Sequence, residues 1–258
     1  VSSGLANTGL LALRSVNRTL RQPANLVFSF AFPMILFAVN SGGLRSAANI
    51  PNFPTDSYLT FALAVPFVQG ALFAANSAGT NIAQDIETGF LARLSLTPLT
   101  RRGLLAGQLA GVVALGLGQA IVYLAVGVAA GAHFAAGPLG IPALLALSVL
   151  VTLGFGTLGA FAALRTGSGE AVQGLFPLMF VLLFLSSNAL PRNLIEQDWF
   201  RTIATYNPVS YLLEAIRSLL ITGWDAKALA LGYGCALLLA VVGVWACSRA
   251  LRTRMLRT

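Results

Sequence analysis

Eight carboxylates, one histidine and two cysteines are the side chains in 258 residues best suited to hold a metal or to act in acid–base and thiol chemistry. Their spacing argues against each. His133 stands alone, so no H-E-x-x-H helix can hold a zinc ion; it reads as filling in a short loop beside Gly137-Pro138. The single lysine, Lys227, follows Asp225-Ala226, and no G-x-x-x-x-G-K-S/T run occurs. The chain therefore lacks the backbone loop of that type, which cradles nucleotide phosphates. The acids are too sparse and scattered for a two-metal site. Cys235 and Cys247 lie in one apolar run. A helix would hold them about 18 Å apart, too far for a disulfide, so they are expected to be packed thiols. No catalytic residue, metal or cofactor is expected in this chain.

What remains is recognition. Gln84–Arg102 (QDIETGFLARLSLTPLTRR) is polar and charge-bearing between two very apolar stretches. Asp85 and Glu87 would complement the positive start of a helix, with Arg93 placed later, where a cation is favoured. Phe90, Leu91 and Leu94 make an apolar edge at three-to-four spacing, and Gly89 interrupts the middle. Pro98 ends the helix, because the residue before a proline avoids helical geometry. Such a short amphipathic helix is a docking element, and Phe90 and Leu94 should be buried only against a partner. A second pattern is NPVSYLLEAIR at Asn207–Arg217. Residues Val209–Thr222 are apolar except for Glu214 and Arg217, which are spaced to meet on one helix face. They serve either as an intrahelical pair or as substrate contacts, since charges at membrane depth are tolerated when paired or facing a cavity. The third pattern is the polar second half of 57–83, with Gln69, Asn76, Ser77, Thr80 and Asn81. Interhelical hydrogen bonds and a substrate-facing wall both fit it.

The elements that must position these residues follow from composition. The chain is 57% hydrophobic and 9% charged, with mean hydropathy +0.80, far from a soluble balance. No charged residue occurs between Gly103 and Leu164. A helix needs about 20 apolar residues to cross a bilayer, so that run holds two spans and a turn. The apolar runs are continuous, whereas barrel strands alternate over about 10 residues. An all-α membrane protein is expected, a single domain over 1–258 with six transmembrane helices. They fall at 24–40, 57–83, 104–130, 141–163, 171–189 and 228–249, with Pro33, Pro66 and Pro177 inside spans. Pro33 should kink the first. Gly42, Gly43, Pro51 and Pro54 mark the loop 41–56. Gly103, Gly107 and Gly111 form a small-residue ladder, and Gly154, Gly156 and Gly159 a similar cluster; both allow close helix approach.

Residues 5–22 place Leu10, Leu13, Val16 and Leu20 near helical spacing, with Arg14, Arg18 and Arg21 among the polar positions. This predicts an amphipathic helix lying in the interface with its arginines towards anionic headgroups. The stretch lacks the roughly 7–15-residue apolar core of a cleavable signal. Residues 190–227 are too polar at Arg192, Glu196, Asp198 and Arg201 to span.

Six spans place both termini on one side. That side holds Arg14, Arg18, Arg21, Arg93, Arg101, Arg102, Arg165, Arg249, Arg252, Arg254 and Arg257, with Asp85, Glu87 and Glu170. The other holds only Arg45, Arg192, Arg201, Arg217 and Lys227, with Asp56, Glu196, Asp198, Glu214 and Asp225. The excess of arginine puts both termini, and 84–102, in the cytoplasm. The basic pI near 10.5 is read as topology, not as nucleic-acid binding. The preference for arginine over lysine is taken as a genome-composition signature, without mechanistic meaning.

The run D-I-E-x-G-F-L-x-R-L-x-x-T-P-L-x-R at Asp85–Arg101 resembles the intracellular motif of type-2 ABC exporter permeases, the drug-resistance and polysaccharide-export class. Asn207–Arg217 resembles the segment between that family's fifth and sixth spans, and residues 5–22 fit its interfacial elbow helix. The resemblance extends to length, order of elements and topology. It implies a cytoplasmic coupling helix between spans 2 and 3 that inserts into a cleft on a nucleotide-binding subunit. Asp85, Glu87, Gly89, Phe90, Arg93, Leu94, Pro98 and Arg101 would form its coupling surface. Asn207, Pro208, Tyr211, Glu214 and Arg217 would belong to external re-entrant helices that close the outer end of the pathway.

The resemblance further implies two partner ATPase subunits carrying ATP and Mg, and a second permease copy or a related permease. The setting would be the lipid of a bacterial inner (plasma) membrane. The expected function is export of a lipophilic, drug-like or lipid-like substrate, with Gln69, Asn76, Phe73, Phe180 and Phe184 as the candidate path. Polysaccharide or glycolipid export within the same class is one alternative. An ATP-independent secondary transporter is another, but it would need intramembrane carboxylates and often repeated halves. The spans hold almost no carboxylates and show no convincing repeat.

Overall fold

A computed structural model describes residues 2–95 and 100–255, which form helices and turns without a strand. The helix α1 (Ser2–Leu20) leads into α2 (Pro23–Gly43). Pro23 opens α2, where a missing N–H costs nothing. The helix continues past 40 and takes Gly42 and Gly43 into its last turn, so the following loop starts later than expected. It also runs through Pro33. Pro33 cannot donate to the Ser29 carbonyl. Two side chains from a neighbouring helix do so instead: the Tyr123 hydroxyl at 2.7 Å and Gln119 Nε2 at 3.4 Å.

The second apolar stretch is divided into α3 (Tyr58–Ala62) and α4 (Ala64–Glu87). Pro66 accounts for the break: its ring crowds the Ala62 carbonyl and leaves it without a donor, while the first turn of α4 tolerates proline. Helix α4 then runs beyond the expected boundary at 83 to Glu87. A short α5 (Phe90–Ser95) and a long α6 (Arg101–Ala129) follow. Thr100 caps α6, its hydroxyl accepting from the Gly103 N–H at 3.1 Å. Next come α7 (Gly140–Thr166) and α8 (Gly169–Phe184). Beyond α8 lie α9 (Asp198–Tyr206), α10 (Pro208–Arg217) with a wide turn over Ser218–Thr222, and α11 (Ala226–Met255).

Among the described residues five stretches are long and apolar enough to cross a membrane: Leu26–Gly43, Tyr58–Glu87, Gly103–Ala129, Gly140–Thr166 and Ala226–Arg254. The remaining apolar helix, α8, has 16 residues, about 24 Å at the α-helical rise, and ends at Phe184 instead of 189. The polar run Ser186-Ser187-Asn188 leaves helical geometry there, and later side chains take its carbonyls. Asn207 Nδ2 reaches the Leu182 carbonyl at 2.7 Å, and Arg217 reaches those of Ser187 and Asn188.

Helix α4 is the centre of the packing. The apolar window of the α3–α4 stretch is 89% buried, against 17% for α2 and 22% for α11. Small residues permit this crowding. A Cβ on Gly159 of α7 would collide with the Ala75 carbonyl of α4, and one on Gly156 would strike Val112 of α6 at 2.5 Å. The ladder on α6 faces α1: a Cβ on Gly107 would stand 2.7 Å from Leu11 Cβ, and one on Gly111 2.6 Å from Ser15 Oγ. Thus α1 lies directly against α6. The thiols Cys235 and Cys247 both sit on α11 and are free, while His133 is exposed in the loop before α7.

Candidate functional site

Asp85 sits in the last turn of α4 with its side chain only 3% exposed. A carboxylate is unfavourable at a helix C-terminus and costly to bury without partners. Four hydrogen bonds from two other helices compensate. Oδ1 accepts from Arg18 Nη1 at 2.7 Å and Arg14 Nη2 at 3.1 Å; Oδ2 accepts from Gln108 Nε2 at 2.8 Å and Arg14 Nη1 at 3.3 Å. Arg18 also donates to Gln84 Oε1 at 2.5 Å, and the Arg14 guanidinium covers the Phe90 ring 3.8 Å from its centroid. Ser15 Oγ donates to the Gln108 carbonyl at 2.9 Å. Residues of α1, α4 and α6 therefore meet at one carboxylate, and Phe90 of α5 packs on the arginine that reaches it.

This arrangement corrects two expectations. Asp85 and Glu87 do not start the helix expected over this segment; they end α4, because the apolar run carries helical geometry four residues further than the polarity suggested. Arg14 and Arg18 do not face headgroups with their donor edges; they turn inward, because a buried carboxylate needs them. Gly89 stands between α4 and α5 at φ +68°, a left-handed conformation that costs glycine little. Leu91 is buried, and Phe90 is half-buried beneath Arg14 instead of bare. Glu87 is exposed and accepts from the Gly169 N–H at the start of α8 at 3.5 Å. Arg93 is exposed and donates to the Thr88 carbonyl at 3.4 Å. Pro98 and the side chains of Leu94 and Arg101 lie outside the described residues.

A second polar cluster holds the segment after α8. Asn207 caps α10, its Oδ1 accepting from the Val209 N–H at 2.9 Å, and Pro208 opens the helix. Glu214 and Arg217 share α10 but do not pair. Glu214 is gripped by Arg192, Nε to Oε1 at 2.5 Å and Nη2 to Oε2 at 2.6 Å, and the same guanidinium stacks 4.4 Å from the Tyr211 ring. Arg217 points into the protein. Its Nε reaches the Phe61 carbonyl at 3.2 Å, Nη1 the Ser187 carbonyl at 2.5 Å and Nη2 the Asn188 carbonyl at 2.6 Å. The Phe61 ring lies 3.5 Å from its carbon. An intrahelical pair would have left those carbonyls, freed by two helix breaks, without donors. Burial lowers the Arg217 pKa to about 9, with Glu214 opposing, so the group stays charged at neutral pH.

The residues of the candidate path fall in three environments. Gln69 is buried, and its Oε1 has no partner among the described residues. Asn76 likewise has an unpartnered Oδ1 and lines a cleft of about 330 Å³ with Phe28, Ser29, Phe73, Ser77 and Phe176. From this cleft a row of rings continues: Phe73 to Phe176 at 5.1 Å, Phe176 to Phe180 at 5.0 Å, and Phe180 to Phe184 at 6.3 Å. Phe184 ends the row at the exposed surface. Among the described residues no cluster of three metal-ligating side chains exists.

The partners Arg14, Arg18, Gln108 and Arg192 were not singled out from the sequence as site residues. The i, i+4 spacing of Arg14 and Arg18 showed that they share a helix face. Nothing local showed which acid, some seventy residues later, they meet.

The ABC-2 type transporter family model matches residues 6–221. Over 226 residues the chain is 28% identical to the probable doxorubicin resistance ABC transporter permease protein DrrC of Mycobacterium tuberculosis, covering 85% of this chain and 78% of that one. It is 27% identical over 252 residues to the putative transport permease ycf38 of Porphyra purpurea, covering 91% and 85%. With ycf38 of Pyropia yezoensis it shares 30% identity over 215 residues, covering 81% and 72%.

Proposed function

Since this chain belongs to the ABC-2 type transporter family and is a multi-pass membrane permease, we propose that it exports a lipophilic substrate using ATP hydrolysed by separate subunits. These 258 residues contain no G-x-x-x-x-G-K-S/T run, which fits energy supplied through contact with another subunit. The observation that carries this reading is the Asp85 cluster. A push on α5 would pass through Arg14 and Asp85 to α1, α4 and α6 together. Two ATPase subunits closing on ATP would then favour one arrangement of the spans over another. We place both termini and α5 on the cytoplasmic side of a bacterial inner membrane, from the arginine excess there, with α8 as a sixth, short span. A second permease copy, or a related permease, would complete the pathway. The strongly exposed apolar faces of α2 and α8 offer it a surface.

The substrate route runs along the cleft at Asn76 and the phenylalanine row to Phe184. An apolar ring wall suits a lipophilic molecule. The doxorubicin resistance in one relative's name agrees with such a substrate. The continuous ring row also keeps a second reading, glycolipid export, since sugars stack on aromatic faces.

The test is co-purification with the cognate ATPase and ATP-dependent dye uptake into inverted vesicles. Phe90→Asp and the surface change Glu87→Arg are each expected to weaken association and uptake. Association and uptake unchanged in both variants would refute the coupling role. Uptake of a labelled glycolipid instead of the dye would select the second reading.

A further inference from the structure

The outer side of the Asp85 cluster is not closed. Between α1 and the end of α4 lies an open groove of about 770 Å³, lined among others by Leu10, Leu13, Arg14, Arg18, Arg21 and Asp85. Three arginines thus face one acid. That acid is consumed: Asp85 is 3% exposed and bonded by Arg14, Arg18 and Gln108. Arg14 and Arg18 nevertheless keep 40% and 18% of their side chains exposed. Arg21 is exposed at the same rim and holds no ion pair among the described residues. The groove therefore carries an uncompensated positive charge beside a structure that has already spent its carboxylate.

The apolar part of the groove is equally specific. Leu10 and Leu13 line it and are 65% and 57% exposed. Positions 10, 13, 14, 17, 18 and 21 recur at three-to-four spacing and share one face of α1. That face is apolar in its first half and basic in its second. A soluble phosphate would use only the basic half. A molecule with an anionic head and acyl tails would use both.

We propose that this groove is a binding site for an anionic phospholipid of the adjoining leaflet, its phosphate held by Arg21 in the positive field of Arg14 and Arg18, and its acyl chains laid along Leu10 and Leu13. The site rests on the reading that α1 lies at the membrane surface, but not on the coupling role of α5. Bound there, the lipid would press α1 against α4 on the side opposite Gln108 and keep the arginines oriented towards Asp85.

The experiment is native mass spectrometry of the purified chain in neutral detergent, titrated with phosphatidylglycerol or with phosphatidylcholine of the same chains. Wild type is expected to prefer phosphatidylglycerol several-fold. Arg21→Gln should lose about fivefold in that binding, the worth of one arginine near a lipid surface, while Arg21→Lys keeps it. Leu13→Gln, which changes no charge, should weaken it too. Arg165→Gln alters an exposed arginine outside the groove and should leave it unchanged. Equal binding of both lipids would overturn the proposal, as would Arg21→Gln matching wild type or Arg165→Gln losing as much as Arg21→Gln. Displacement of the lipid by millimolar inorganic phosphate would also overturn it, by assigning the site to a soluble anion. Failure of ATPase association in Phe90→Asp tests the coupling role separately and leaves this outcome untouched.

Discussion

Two charges are buried at opposite ends of the described fold, and the protein neutralises them in different ways. Asp85 is met by two opposite charges and one amide, all on other helices. Arg217 is met by three backbone carbonyls and a ring, while the carboxylate one turn away is occupied by Arg192. The difference is one of replaceability. Charged side chains on mobile stems can exchange partners with solvent, lipid or another protein. Carbonyls left bare where α3 and α8 end cannot move to find another donor. The Asp85 cluster is therefore suited to transmit or be modulated, and the Arg217 cluster to hold broken helix ends in place.

Removing Arg217 should break the comparison most severely. Arg217→Ala strands three buried acceptors and is expected to cost at least about 3 kcal/mol, read as thermal unfolding in detergent. Arg217→Lys should recover little, because one ammonium cannot reach acceptors spread along a planar fork. A mild effect of both would show that water can replace the guanidinium, and the distinction between the clusters would fall.

Asp85→Ala should come next. It leaves two arginines facing each other but still in reach of solvent. The expected loss is about 2 kcal/mol, less than the roughly 3–5 of a fully enclosed pair. ATP-dependent transport should fall further than stability does. A stability loss with normal coupling would make Asp85 a packing residue only.

Glu214→Gln sharpens the contrast from the weak side. Its pair with Arg192 is partly exposed, so the cost should stay below about 1 kcal/mol. A cost matching that of Arg217→Ala would mean that Glu214 supports Arg217 electrostatically after all.

Much of the helix pattern was legible because its causes are local. Apolar run length predicts spans, and glycine spacing predicts where helices approach closely. The errors arose where tertiary contacts outweighed local signals. Polarity at 84 suggested that α4 had ended, yet Arg14, Arg18 and Gln108 let the helix carry Asp85 in its last turn. The spacing of Glu214 and Arg217 suggested a pair, yet the breaks at Leu63 and Leu185 offered Arg217 carbonyls that nothing else could satisfy.

By itself the sequence determined that this is a helical membrane chain, where its apolar segments run, and which small residues permit close packing. These depend on side-chain volume and hydropathy within a turn or two of helix. Only the tertiary structure decided that the glycine ladder of α6 receives α1, that Asp85 gathers three helices, and that Arg217 secures two helix ends. Those contacts join residues separated by 23 to 156 positions. Which charge finds which partner is settled by how the helices pack, because each buried charge must take the donors and acceptors that packing brings within reach.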